Sequence, residues 1–239
     1  MPGEAFQFKH FSVRDDMCAM KVGTDGVLLG AWTETNNVKH ILDVGTGSGL
    51  IALMLAQKCD ASIDAIDVDN DAVLQAKENL AQSNWNDRIQ IYKQALQNFD
   101  SEGKKYDLIV SNPPFYSDSS SPQNHARTLA RHSDQSLSHE DLLKNVKRLL
   151  SSSGKFCVIL PSKEGVAILK LAPLYELYCN RITKVKTKQN KKPKRVLLEF
   201  GHLMTETKTD ELVVLREDEK YSDDYIALTK DYYMQLAKT

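Results

Sequence analysis

The chain has 239 residues, a formal net charge of −1 and 41% hydrophobic residues. This length is enough for one α/β domain or two small domains, and the near-neutral charge excludes a globally basic surface, so any nucleic-acid contact must be a local patch. The first residues lack a basic region followed by an apolar one, and no apolar run approaches the ~20 residues that cross a bilayer. We therefore expect a cytoplasmic protein without a membrane segment.

The cysteines and histidines do not have the spacing of a metal site. The 4 cysteines are far apart and form no C-x-x-C pair, and the 6 histidines show no H-E-x-x-H spacing. We expect a reduced, metal-free protein. A single domain of near-neutral charge is also compatible with a monomer.

The N-terminal stretch predicts a short hairpin followed by a helix. Phe6, Phe8 and Phe11 alternate with polar residues, which predicts paired strands with a turn at residues 14–16. Thr24 or Asp25 is a suitable N-cap for a helix that continues to Trp32. A capped helix without any further role is the alternative interpretation of this stretch.

A strand, a glycine-rich turn and a helix follow. Residues 41–44 form a buried-strand pattern, residues 45–49 read Gly-Thr-Gly-Ser-Gly, and residues 50–57 predict an apolar helix. This unit opens nucleotide-binding α/β sheets, because glycines let the backbone approach a ligand closely. The next strand ends at Asp67, 18 residues after Gly49, where a carboxylate can bind the hydroxyls of a ribose.

The pattern of strand and helix then repeats to the end of the chain. Further strands are predicted at 89–92, 107–110, 155–160, 179–186 and 195–200, and further helices at 72–83, 139–150, 163–172 and 223–236. The serines at 151–153 are predicted to form a brief polar loop. This alternation predicts one doubly wound, Rossmann-like α/β sheet, mostly parallel with a C-terminal antiparallel strand. Residues 1–239 are expected to form one domain, in which residues 1–35 extend over the cofactor site.

The strand at 107–110 ends in Ser-Asn-Pro-Pro-Phe-Tyr. Two prolines carry no N–H donors and fix φ, so the strand cannot continue and a stiff lip forms at its carboxyl end. Asn112 and the Pro113 carbonyl can accept the two N–H bonds of an exocyclic amino group, and Phe115 can stack on its ring. A simple turn is the alternative.

The spacing of the glycines limits the class of ligand that this turn can bind. G-x-G-x-G is not the G-x-G-x-x-G of dinucleotide folds, and no P-loop is present. Asp43, two residues before the first glycine, suits a ligand with a positive ammonium group and no phosphates. S-adenosylmethionine meets both conditions.

These motifs resemble those of class I S-adenosylmethionine-dependent amino-methyltransferases. Residues 18–32, 111–116 and 195–198 and the tail at 221–229 are similar to the bacterial tRNA1(Val) adenine-N6 methyltransferases, and the likeness covers essentially the whole chain. The resemblance implies that N6 of the adenine just 3′ of the anticodon is methylated, with S-adenosylmethionine as cofactor and a valine tRNA as partner.

The resemblance also assigns site residues. It implies that the methionine end of the cofactor is bordered by Lys21, Val22, Gly23, Thr24 and Asp25, and that the cofactor-binding loop is formed by Asp43, Gly45, Gly47 and Gly49. It implies that Asp67 holds the ribose of the cofactor and that Val68 packs on its adenine. The target base would be held by Asn112, Pro113 and Phe115. One departure is Ala95, which stands where such enzymes usually carry an acidic residue for the cofactor's adenine. Gln94 or Gln97 could substitute for it.

A basic run follows the predicted strand at 179–186. Seven lysines and arginines fall within residues 184–195, which contain no acid, and the candidate nucleic-acid-binding residues are Lys188, Lys191, Lys192, Lys194 and Arg195. A solvated loop is the alternative, but a polyanionic substrate favours RNA contact. The polar stretch at 118–125 is expected to contact the substrate.

Three rival functions remain open on the sequence. A protein glutamine methyltransferase or a DNA adenine methyltransferase could use the same lip, because an amide NH2 presents the same two donors. A non-catalytic nucleotide- or RNA-binding module is the third.

Overall fold

The structure is a computed structural model that describes residues 4–114 and 137–234. Its strands are β1 (Phe6–Gln7), β2 (Ser12–Val13), β3 (His40–Val44), β4 (Ser62–Asp67), β5 (Ile89–Lys93), β6 (Tyr106–Ser111), β7 (Leu150–Pro161), β8 (Tyr178–Lys186), β9 (Arg195–Gly201) and β10 (Lys208–Val213). Its helices are α1 (Thr24–Trp32), α2 (Leu50–Lys58), α3 (Asn70–Ala81), α4 (His139–Leu149), α5 (Ser162–Leu171) and α6 (Asp223–Thr229).

Eight strands form one sheet in the order β10-β8-β9-β7-β6-β3-β4-β5. All neighbouring pairs are parallel except those of β9, which runs antiparallel to both β7 and β8. The predicted fold class, a doubly wound and mostly parallel sheet with a C-terminal antiparallel strand, is confirmed.

Helices cover both faces of the sheet. On β6, Leu108 and Val110 point to a core shared with α1, α2 and α3, whereas Ile109 points to a second core shared with α4 and α5. Both cores are fully buried along the central strands. This two-sided burial explains why these strands appear in the sequence as continuous apolar runs rather than as alternating ones.

The chain order reverses between β3 and β6, which lie side by side at the centre of the sheet. Val44 pairs with Ser111, and the Ser111 hydroxyl donates to the Val44 carbonyl at 2.9 Å. The loops after these two strands therefore diverge at one point of the carboxyl edge. Open α/β sheets bind ligands in the crevice at such a switch point.

Two predictions about the N-terminal stretch are wrong in detail. The hairpin is present, but its turn lies at residues 8–11, where the Phe8 amide donates to the Phe11 carbonyl and the two rings stack. Residues 14–16 are instead in a loop tied to α3, because the Arg14 amide donates to Asn79. Helix α1 is capped by the backbone of Gly23 without a side-chain bond, since Asp25 is engaged elsewhere.

Three predictions about the C-terminal half also differ from the structure. The serines at 151–153 do not form a loop after α4; β7 begins directly at Leu150 and includes them. Strand β10 was not predicted, because its exposed, charged sequence lacks an apolar pattern. The last helix ends at Thr229 rather than at residue 236. Among the described residues, no helix is long and apolar enough to cross a membrane.

Candidate active site

The loop after β3 is a sharp glycine turn. Gly45 and Gly47 have φ of +72° and +56°, a region that side chains rarely adopt, and no atom lies within 4 Å of where their Cβ atoms would be. The amides of Gly45 and Thr46 both donate to the Ile66 carbonyl, at 2.9 and 3.0 Å, which anchors the loop to β4. A fixed backbone with open space beside it is suited to close approach by a ligand.

Asp43 lies beneath this loop rather than in the crevice. Its side chain is fully buried, and Oδ2 accepts a hydrogen bond from the Thr46 hydroxyl at 2.7 Å. Burial raises the pKa of Asp43 to about 7, and the nearby Asp67 raises it further, while the Thr46 hydroxyl lowers it. Asp43 forms no part of the surface of either cavity described below, so its expected contact with the cofactor's ammonium group stays a prediction.

Asp67 ends β4 and faces the glycine loop. Its Oδ2 accepts from the Gly47 amide at 2.8 Å, and its Oδ1 accepts from the Asp69 amide at 3.0 Å. Burial raises the pKa of this carboxyl, and the backbone amides of Asp69 and Gly47 oppose the shift. The side chain is therefore oriented by backbone donors at the position predicted for a ribose ligand.

A cavity of about 250 Å³ opens beside Asp67. Its walls include the apolar side chains of Val44, Ile66, Val68 and Leu96. Val68 is 42% exposed, so its side chain is accessible to a ligand in the cavity. An apolar slot beside an oriented carboxylate fits the adenosine part of a nucleoside cofactor, with the base between the apolar walls and the ribose at the carboxylate.

Gln94 and Gln97 line this cavity, and Ala95 does not. The Gln94 side-chain nitrogen donates to the Asn98 carbonyl at 2.8 Å, which fixes the amide of Gln94. The structure thus brings both amides to the wall where the resemblance implies an acidic residue. Which of them accepts from the cofactor's adenine stays a prediction.

A second cavity of about 320 Å³ adjoins the first and shares Met20, Gly45 and Gly47 with it. The five residues predicted to border the methionine end, Lys21, Val22, Gly23, Thr24 and Asp25, all line this cavity. The segment is held by Asp15, whose carboxylate accepts from the Val22 amide at 2.6 Å and whose carbonyl accepts from the Lys21 amine at 2.7 Å. The two cavities together make one elongated crevice.

Asn112 stands on the opposite wall of the second cavity. Its Oδ1 is buried and has no hydrogen-bond partner among residues 4–114 and 137–234. Buried polar atoms nearly always have a partner, and Asn112 lines the crevice, so this acceptor is suited to a donor supplied by a ligand; Asp43 Oδ1 is a second buried acceptor without a partner among the described residues. Phe115 and the predicted contact loop at 118–125 lie outside the described residues.

The basic run is at the same edge of the sheet, in the connection between β8 and β9. The structure divides it into two groups. Lys186 and Lys188 form ion pairs with Glu211 and Glu219, which the sheet brings from elsewhere in the chain. Lys191, Lys192 and Lys194 are exposed and form no ion pair within the described part of the chain.

Sequence reasoning missed the side chains that hold the N-terminal loop over the crevice. The buried amide of Asn79 donates to the carbonyls of Arg14 and Ser48 at 2.7 and 2.8 Å, and the Gln75 oxygen accepts from the Met17 amide at 3.1 Å. Both residues lie on the buried face of α3. The available signal was two amides among the apolar positions of that helix.

Solved structures of methyltransferases share this fold. A predicted O-methyltransferase from Agrobacterium tumefaciens superposes with a TM-score of 0.64 at 15% identity, over 87% of this chain and 96% of that chain. The glycopeptide N-methyltransferase MtfA, complexed with S-adenosylmethionine, superposes with a TM-score of 0.56 at 12% identity, over 77% of this chain and 100% of that chain. The fold is that of the S-adenosylmethionine-dependent methyltransferases.

Sequence comparison then gives the family. Residues 20–167 match the model of the methyltransferase small domain. A protein of Phocaeicola vulgatus, named tRNA1(Val) (adenine(37)-N6)-methyltransferase, is 45% identical over 236 residues, which are 99% of this chain and 100% of that protein. The chain belongs to this methyltransferase family, and the resemblance predicted from its motifs is confirmed.

Proposed function

We propose that the protein transfers a methyl group from S-adenosylmethionine to N6 of adenine 37, the nucleotide 3′ of the anticodon, in tRNA1(Val). The name of a relative that is 45% identical over nearly the whole chain supports the substrate. The observation that carries the chemistry is the buried, unpaired Oδ1 of Asn112 on the wall of the crevice. It provides an acceptor for one N–H of an exocyclic amino group.

The residues of the crevice fit the cofactor. The apolar cavity beside Val68 would hold the adenine, and Asp67, already oriented by backbone amides, would hold the ribose. The adjoining cavity, between the glycine loop and the Lys21–Asp25 segment, would hold the methionine part. When bound, the cofactor supplies an electrophilic methyl group on a positively charged sulfur.

The chain's own contribution is to prepare the amino nitrogen. N6 of adenine is a poor nucleophile because its lone pair is delocalised into the ring. If Asn112 Oδ1 and the Pro113 carbonyl each accept one N–H, electron density shifts towards nitrogen and its lone pair is directed at the methyl group. The two prolines hold these acceptors rigidly, so little orientation is lost at the moment of reaction.

Asn112 does not act as a base, because an amide is not protonated near neutral pH. Its role is orientation and electrostatic stabilisation of the positive charge that develops on N6. The extra proton leaves to water after transfer. Phe115 would stack on the base, a contact worth ~1–3 kcal/mol for other base–aromatic pairs.

The RNA surface is proposed to include the exposed lysines of the β8–β9 connection. Lys191, Lys192 and Lys194 lie at the same edge of the sheet as the crevice, which suits contact with phosphates flanking the target. The target base must leave its stack, which costs least in a loop such as the anticodon loop. We expect a monomer to carry out the reaction, without a metal, in the cytoplasm.

The test is incubation with tritiated S-adenosylmethionine and unmodified total tRNA, followed by nucleoside analysis and identification of the labelled tRNA. We expect N6-methyladenosine at position 37 of a valine tRNA. Label in a protein glutamine, or in DNA, would overturn the RNA assignment. No label in any substrate, with cofactor binding shown by calorimetry, would favour the non-catalytic binding module. Asn112→Ala is the control for label that does not depend on the lip.

A further inference from the structure

A third cavity, of about 350 Å³, lies beside the crevice and has no part in the function described so far. Small-ligand pockets in proteins measure about 300–1,000 Å³, so its size is sufficient for a ligand. Its walls come from the start of α1, the end of β8, the start of β9 and the segment that follows β10. We call it the side pocket; the residues used below are Thr24, Asp25, Thr187, Lys194, Arg195 and Tyr221.

The side pocket continues the active site along the edge of the sheet. Strands β7, β8 and β10 run parallel to the central strands, and β9 runs against them, so the carboxyl ends of β8 and β10 and the amino end of β9 share the edge with the crevice. Thr24 and Asp25 line both the crevice and the side pocket. A chain of nucleotides can therefore pass from one to the other without leaving the surface.

An ion pair fixes the wall between the two sites. The Arg195 Nε donates to the Asp25 carboxylate at 2.7 Å, with both side chains about one third exposed. Because the Asp25 charge is balanced in this way, it does not repel a nearby phosphate as strongly as a lone carboxylate would. The bond also joins α1 to β9, so the wall keeps its shape.

The chemistry of the side pocket suits a nucleotide. The ring of Tyr221 lines it and is held by a stacked contact with Tyr225, at 4.7 Å between ring centres and 20° between planes. Lys194 provides an exposed cation without an ion pair among the described residues. Thr24 and Thr187 add hydroxyl groups. An aromatic ring for the base and a cation for the phosphate are the two components of single-stranded nucleic-acid sites.

We propose that the side pocket binds the nucleotide next to the target adenine in the RNA, with its base against Tyr221 and its phosphate at Lys194. This inference rests on the proposed methylation of an RNA adenine. The side pocket would then contribute to the reaction, because binding the neighbouring base outside the RNA base stack offsets part of the free-energy cost of extracting the target adenine.

The first experiment compares variants on an anticodon stem-loop. Tyr221→Leu removes the ring but keeps an apolar side chain, and Lys194→Ala removes the cation. Tyr221→Leu should raise KM for the RNA by about 5- to 150-fold, the range expected from loss of one stacked base. Lys194→Ala should raise it by a smaller factor, because it removes one phosphate contact. In both variants kcat and the dissociation constant of S-adenosylmethionine should be unchanged. Matched controls are Tyr178→Leu and Lys208→Ala, which lie on β8 and β10 at the opposite edge of the sheet.

A double-mutant cycle separates a nucleotide contact from a structural role of Tyr221. RNAs with an abasic site 5′ or 3′ of the target adenine remove the neighbouring base in turn. In the unmodified protein one of them should raise KM by a similar factor, and in Tyr221→Leu it should add little. Independent, multiplying effects at both positions would overturn the proposal, as would an unchanged KM for both variants.

The outcomes also distinguish this inference from the proposed function. If the unmodified protein methylates the stem-loop and the Tyr221→Leu and Lys194→Ala variants match their controls, only the side-pocket inference is wrong. If the unmodified protein leaves both the stem-loop and tRNA without N6-methyladenosine, the proposed function is wrong, and the inference with it. Thermal melting of Tyr221→Leu and Lys194→Ala checks that both variants are folded, and Tyr221→Phe, which keeps the stacked ring, should retain the KM of the unmodified protein.

Discussion

Two regions of the molecule differ in how far their buried polar groups are paired. On β8 and β9, level with Asp43 in the sheet, Arg181 lies over the Trp32 ring at 3.6 Å and pairs with Glu199 at 3.0 Å and Glu34 at 3.4 Å, and only its Nε lacks a partner among the described residues. Lys155 pairs with the same two carboxylates, each at 3.4 Å. At the carboxyl edge, Asn112 Oδ1 has no partner among the described residues.

The difference reflects what each region contributes. A buried charge is costly unless it is paired, so the linked ion pairs around Arg181 serve the fold. An unpaired buried acceptor lowers stability and is retained where a ligand supplies its donor. The same contrast divides the lysines of the β8–β9 connection, because Lys186 and Lys188 have acidic partners and Lys191 and Lys192 have none in the described part of the chain.

The largest effect should come from removing the acceptor at the lip. Asn112→Ala is expected to lower kcat by about 10²–10³-fold, the range found when one positioned electrostatic partner is removed from an active site. The melting temperature should stay the same or rise, because the substitution removes a buried acceptor without a partner, and the affinity for S-adenosylmethionine should be unchanged. Single-turnover methylation and calorimetry measure the two quantities. Asn84→Ala, at an exposed position after α3, is the control, and equal loss in both variants would contradict the assignment.

Replacing Arg181 should lower the stability of the fold and leave catalysis unchanged. Arg181→Ala leaves Glu199 buried with only Lys155 nearby, and we expect the free energy of unfolding to fall by about 3 kcal/mol. Denaturant unfolding measures this loss, and KM for the RNA should not change in the folded fraction. Arg216→Ala, which breaks the exposed pair with Asp218, is the matched control and should change little.

A third prediction concerns pH. Burial raises the pKa of Asp43 from 3.8 to about 7, so this group's contribution is full below the unfolded value and is lost as pH rises towards the folded one. Between pH 5 and pH 8 the loss amounts to about 2 to 3 kcal/mol by linkage. Asp43→Asn should remove this slope. Denaturant unfolding of both proteins at several pH values tests it, and parallel pH curves would contradict a raised pKa.

The smallest expected effect is on RNA affinity, when the two groups of lysines in the β8–β9 connection are replaced in turn. Replacing Lys191 and Lys192 by alanine should weaken RNA binding several-fold and reduce the slope of log K against log salt by about 0.7 per lysine. The double replacement of Lys186 and Lys188 is the control and should have a smaller effect, because their charges are already balanced by Glu211 and Glu219. Filter binding across a salt series measures both. Equal slopes for the two double variants would show that the ion pairs do not matter.

Most of the fold could be predicted because its signals are local. The strands ending at Val44, Asp67 and Ser111 are short runs rich in apolar residues, and the first and the last are ended sharply by a glycine and by two prolines. The elements that were missed lack such a signal. Strand β10 is mostly exposed and charged, and the serines of β7 were predicted as a loop from composition alone. Strand β10 forms because β8 pairs with it, and the serines lie between Leu150 and Lys155, both of which pair with β6; no short window of sequence contains such partners.

The same division holds for the site. By itself the sequence determined the types and order of the groups, namely the glycine loop, Asp67 and the Asn-Pro-Pro lip, because each follows a strand and the carboxyl ends of parallel strands meet at one edge. Only the tertiary structure decided that Asp43 is buried beneath the loop, that Glu211 and Glu219 neutralise part of the basic run, and that Asp25 and Arg195 join two pockets. These are contacts between distant parts of the chain, set by how helices and strands pack.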